Sequence, residues 1–153
     1  MATVLLILHS LAAVFLLGAV THQALSAVWP TTSRASTFTS FRAVRGASYT
    51  KTIVILYVIT ATIGAVIYPT YRVAVREILQ FLNQRSALGL FETKEHFVAI
   101  GLGLLPAYWY FWRVASSRSQ LATRNCLTVL IACIVWYGFL VGHVLNNIKG
   151  FGL

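Results

Sequence analysis

Polar residues divide this chain into four long apolar blocks. The first runs from Thr3 to Val28 without a charge and closes at Trp29-Pro30. The second runs from Thr52 to Tyr68, is closed by Pro69, and is extendable through Tyr71 and Val73. The third covers Phe97 to Trp112 and is capped by Arg113, and the fourth covers Leu127 to Leu145 and ends at Asn146-Asn147. A helix needs about 20 mostly apolar residues to cross roughly 30 Å of hydrocarbon. Backbone facing lipid must bond within its own segment, so the blocks are predicted to be helices, not strands. The expected fold is all-α: a single integral membrane domain over residues 1–153, a four-helix bundle running up-down-up-down.

The connections differ in character. Between the second and third blocks, Val75, Ile78, Leu79 and Leu82 follow a helical period, with Arg76, Gln80, Asn83 and Arg85 interleaved. That pattern predicts an amphipathic helix over about 72–85, lying in the membrane interface or docked on a partner subunit. The first connection, Thr31 to Thr50, is rich in Ser and Thr and reads as a polar connector. There is no internal repeat.

Composition closes off the soluble alternatives. Apolar residues make up 58% and charged residues 10% of the 153, against about 45–50% and about 25% in soluble domains. A soluble domain of this length could not hide so much apolar surface. The first block is not expected to be a cleaved signal: Met1-Ala2-Thr3 carries no positive charge, and the apolar run is far longer than a signal core. Cys126 and Cys133 are seven residues apart in one block, about 10 Å along a helix and too far for a disulfide.

The net charge of +9 does not point to nucleic acid, because no basic run tracks a phosphate backbone. The cations lie between the blocks, as membrane orientation requires. Arg34, Arg42, Arg45, Lys51, Arg113, Arg118 and Arg124 fall on one side with no acid. Arg72, Arg76, Arg85, Lys94 and Lys149 share the other side with all three glutamates. Seven cations against five favours termini on the outside. The expected location is a bacterial inner membrane or another energy-transducing membrane.

Chemistry rests on the four histidines, which all fall inside or at the ends of the blocks. Ionisable groups there are costly and usually face a bundle interior or a functional site. In an up-down bundle His9, His96 and His143 gather in one leaflet, and His22 lies alone towards the other. Two histidines on different helices can hold a b-type haem, with His9 and His143 the favoured pair. Gly142, Gly138, Ala12 and Ala13 would let a flat ring approach, and Arg72 and Arg76 could pair with its propionates. His9 and His22 are thirteen residues apart, about 19.5 Å along the helix but about 140° apart around it. A second haem at His22 would therefore need a ligand from another subunit.

Other readings stay open. Glu92, Glu95 and His96 could hold a non-haem metal, although the Glu-x-x-His spacing of bundle carboxylate sites is absent. Single histidines could ligate chlorophyll. The histidines could also be local hydrogen-bonding residues of a cofactor-free accessory subunit. No P-loop, dinucleotide fingerprint, zincin helix or Ser/His/Asp set is present, so catalysis would belong to an assembly with other membrane subunits. In its four spans and its histidines the chain resembles the haem-bearing membrane subunits of respiratory oxidoreductases. That resemblance implies haem b near one leaflet and electron exchange with a quinone or a partner protein.

Overall fold

Apolar runs of this length leave the backbone no better option than helix, and helix is what forms. The computed structural model describes residues 2–28, 46–81, 83–114 and 117–151, the side chains of 2, 71, 74, 75 and 146–151 excepted. In chain order come α1 (Ala2–Val28), α2 (Gly46–Tyr71), a π-helical turn (Arg72–Arg76), α3 (Glu77–Phe81), α4 (Arg85–Val114) and α5 (Arg118–Phe151). There is no strand among the described residues. The helices α1, α2, α4 and α5 are each long and apolar enough to cross a membrane. The described residues are thus almost entirely helical, and the four long helices are compatible with an integral membrane protein.

Three of these helices begin well before the apolar blocks suggest, α5 among them at Arg118 instead of Leu127. Helix α2 starts at Gly46 instead of Thr52 and continues through Pro69, and α4 starts at Arg85 instead of Phe97. The physical reason is that a polar stretch ends a hydropathy pattern without ending a helix. Ala, Leu, Glu and Lys, which supply six of the nine residues 87–95, are all good helix formers. The amphipathic helix expected over 72–85 is instead divided into the π-helical turn and the short α3, and Asn83 stops it with a φ of 54°. Asn is one of the few side chains that tolerate that left-handed region. Of the expected apolar stripe, Leu79 is buried and Ile78 is exposed, while the side chains of Val75 and Leu82 lie outside the described residues. So do residues 29–45, which hold most of the Ser/Thr-rich connector, and the side chains of Asn146, Asn147 and Lys149.

Packing builds one main core and one satellite. Leu16, Val20, Ile53, Tyr57, Leu105, Tyr108, Ile131, Ala132 and Ile134 form the main cluster. Leu79, Ala87, Phe91, Val141 and Leu145 form the second, which ties α3 to α4 and α5. In lipid the apolar effect does not drive helices together, so close approach and interhelical hydrogen bonds must. Gly101 supplies the first: a Cβ there would overlap the Tyr57 hydroxyl, which donates to the Val98 carbonyl at 3.1 Å. Gln23 supplies the second. This fully buried amide donates to the Gly46 carbonyl at 2.8 Å and to Thr50 Oγ1 at 3.1 Å, and accepts from the Tyr108 hydroxyl. One side chain of α1 thereby holds α2 and α4. Cys126 and Cys133 are both free and exposed.

A charged cluster at the His9 end as candidate functional site

His9 stands one-third of the way along α1, where α1 packs on α2. Its Nδ1 lies 3.1 Å from the Thr60 carbonyl oxygen. A carbonyl can only accept, so Nδ1 carries the proton and the ring's lone pair is on Nε2. The ring lies against Gly64, where a Cβ would sit 3.1 Å from His9 Cε1. Thr60 Oγ1 beside it is buried without a hydrogen-bond partner among the described residues. An orphaned hydroxyl next to a fixed imidazole marks a place that a ligand atom or water can satisfy.

Helix α4 brings charge to this imidazole. Lys94 is half-buried and close enough to interact electrostatically with His9. Its stem runs beside α5, with Cγ 4.0 Å from the place a Cβ on Gly138 would take. Its ammonium lies 5.0 Å from the centre of the Phe91 ring. That is the behaviour of a lysine whose stem stays among apolar side chains while its head turns toward the helix end. Phe91 in turn stacks on Tyr68 of α2, ring centres 6.0 Å apart. The Tyr68 hydroxyl hydrogen-bonds the neighbouring Glu95, which also interacts with Lys94, His96 and Arg72. Glu92 pairs with Arg76 at 3.6 Å. Thus α1, α2, the π-helical turn and α4 all contribute polar groups to one end of the bundle.

The histidines are not drawn into a single ring of ligands. His96 is exposed, and its Nδ1 donates to the Glu92 carbonyl one turn back at 2.7 Å. His143 is exposed on α5 and stacks on Phe139, ring centres 6.5 Å apart. It shares a face with Trp136, which reaches α1 at Thr21, because seven residues bring a helix round to within about 20°. His9 lies about 120° around α1 from Thr21, turned towards α2. His22 is half-buried and stacks on Tyr49 of α2 at 5.2 Å. Both α1 histidines therefore touch α2, His22 by way of the long Tyr49 side chain.

Glu92, Glu95 and His96 turn to different partners: Arg76, Tyr68 and the α4 backbone. Among the described residues no group of three or more His, Cys, Asp or Glu comes together as a metal-binding set. His9 and His96 each have the tautomer fixed by a backbone acceptor, as is usual for metal-bound histidines, but His9 is half-buried and His96 exposed, and the residue that His9 bonds carries the orphaned hydroxyl. Lys94 and Tyr68 are the residues that sequence reasoning missed. Lys94 precedes the third apolar block, and only the early start of α4 brings it into the bundle. No protein-family model, curated protein or solved structure matches the chain.

Proposed function

We propose that the chain is a membrane-embedded subunit of a respiratory-type electron-transfer complex that holds haem b at its His9 end. The bundle runs up-down-up-down in an energy-transducing membrane such as a bacterial inner membrane, termini outside, with other membrane subunits as partners. The segment 72–85 lies at the membrane interface, where the 90% exposed Phe81 would enter lipid. The single observation that supports the haem is the His9 imidazole, held at Nδ1 by Thr60 with its lone pair on Nε2. His143, exposed on α5, would be the second histidine to hold the haem, and Arg72 and Arg76 would pair with its propionates, Arg76 giving up Glu92 to do so.

Bound haem would supply reversible one-electron chemistry between ferric and ferrous iron. The protein's own part is to orient. The Thr60 carbonyl keeps the proton on Nδ1, Gly64 lets the ring lie close to α2, and Lys94 sets a positive charge beside it. A quinone or partner protein then exchanges electrons at this end. A second reading, a cofactor-free accessory subunit, draws support from the partners that Glu92, Glu95 and Lys94 already have within the chain.

An absorption spectrum and elemental analysis of the purified protein decide between them. The haem reading expects a Soret band that sharpens and splits from its oxidised form on reduction, stoichiometric iron, and loss of both in His9→Ala. A folded, colourless, metal-free preparation overturns it in favour of the accessory subunit. Non-haem iron, copper or zinc without a Soret band would move the site to Glu92, Glu95 and His96, and a chlorophyll spectrum to single histidines.

A further inference from the structure

The opposite end of the bundle, where Gln23 meets Gly46, has cations and no acids. Residues 29–51 and 113–126 contain Arg34, Arg42, Arg45, Lys51, Arg113, Arg118 and Arg124, and neither Asp nor Glu. No counter-charge for them can come from these segments. A bare orientation signal would need only the charge, and lysines on flexible stems would serve. Two of these arginines are instead built into the structure.

Arg124 lies flat on Trp112, its guanidinium carbon 4.5 Å from the ring centre. Its Nε and Nη2 donate to Asn125 Oδ1 at 3.2 and 3.0 Å, and Asn125 Nδ2 donates to the Ala27 carbonyl of α1 at 3.0 Å. Trp112 is itself fixed. Its Nε1 donates to Thr128 Oγ1 at 3.0 Å, and its ring edge fills the space beside Gly46, where a Cβ would come within 2.9 Å. Arg113 repeats the stack on Trp109, at 4.6 Å. Stacking occupies the face of a guanidinium and leaves its N–H edge available. Asn125 takes two of Arg124's five N–H groups. Trp side chains at helix ends sit at headgroup depth in membranes. Two planar cations therefore present donor edges at the level where lipid phosphates lie, and a phosphate oxygen pair matches that fork.

We propose that Trp112–Arg124, with Arg113 on Trp109, is a binding site for the phosphodiester headgroup of an anionic phospholipid. The inference is independent of the haem reading, which concerns the other end of the bundle. The discriminating change is Arg to Lys, which keeps the charge but loses both the fork and the flat stack. Full-length protein in detergent is titrated with phosphatidylglycerol and, separately, with phosphatidylcholine, and bound lipid is counted by native mass spectrometry.

The site expects preferential retention of phosphatidylglycerol, and roughly tenfold weaker retention in the Arg113→Lys/Arg124→Lys double variant. Equal retention of the two lipids overturns the proposal, as does undiminished phosphatidylglycerol binding in the double variant. Displacement by an equal concentration of inorganic phosphate also overturns it, because the site would then read phosphate alone. Helicity by circular dichroism confirms that the double variant folds. If it does not, Arg113→Lys alone carries the test, since that exposed side chain stacks on Trp109 of its own helix, and a several-fold loss is expected there.

Discussion

The two ends of the bundle solve the problem of polarity in a membrane in opposite ways. At the Gln23 end the interior polar groups are neutral, fully buried and mutually satisfied: an amide, two hydroxyls and a backbone carbonyl from three helices. At the His9 end the groups are charged and half-buried or exposed, and one hydroxyl, Thr60 Oγ1, has no partner among the described residues. Neutral hydrogen bonds in lipid are worth modest but dependable stability. Half-buried charge adds little stability, because desolvation consumes the gain. The His9 end therefore has polar groups that stability alone does not call for, and this is the ground on which the site is proposed there.

If this contrast is right, the largest loss of stability comes from the neutral end. Gln23→Leu keeps volume but removes three hydrogen bonds and strands the Tyr108 hydroxyl in the core. We expect a cost of roughly 2–4 kcal/mol, measured by unfolding in mixed detergent micelles. Because the stranded partner carries much of that cost, Gln23→Leu/Tyr108→Phe should recover part of it. A neutral Gln23→Leu would erase the distinction between the two ends.

Lys94→Met is expected to do far less. Methionine fills the same channel beside Gly138 and Phe91, and Glu95 keeps its bond to Tyr68 and its interaction with Arg72. Stability should change by less than about 1 kcal/mol, and upward if at all, in the same unfolding assay. A loss as large as that of Gln23→Leu would show that the charged end is structural after all.

What could be read in advance follows the range of each interaction. Helix-spanning blocks are local, so the four long helices were legible from runs such as Thr3–Val28 and Leu127–Leu145. The starts of α2, α4 and α5 were not, because the polar residues within 46–51, 85–96 and 118–126 interrupt the apolar run without interrupting the helix. The depth of His9 was legible from its place between Leu8 and Ser10. Its bond to Thr60, 51 residues away, was not. Nor was the Gln23–Tyr108 bond, 85 residues apart, since a lone amide in an apolar run announces a need for partners without naming them. Lys94 was hidden by the boundary error at α4. Placed in a connection, it was counted among the cations that set membrane orientation.

The smallest expected effect tests the contrast most sharply. Arg76 and Glu92 meet at 3.6 Å across the π-helical turn and α4, with relative exposures of 36% and 58%. Two long side chains lose rotamer freedom to hold that pair, and water screens its attraction, so it is worth between zero and about 1 kcal/mol. Arg76→Gln should therefore cost less than about 0.5 kcal/mol at low salt. At about 1 M salt, where the screening length falls to roughly 3 Å, variant and parent should unfold at the same point. Any cost that survives high salt would have to come from burial and shape instead of charge. A salt-independent loss above about 1.5 kcal/mol would mean that the turn is locked to α4 as firmly as α1 is locked to α2 and α4 by Gln23. The His9 end would then be a second structural clamp, and its charges would no longer single it out as the functional one.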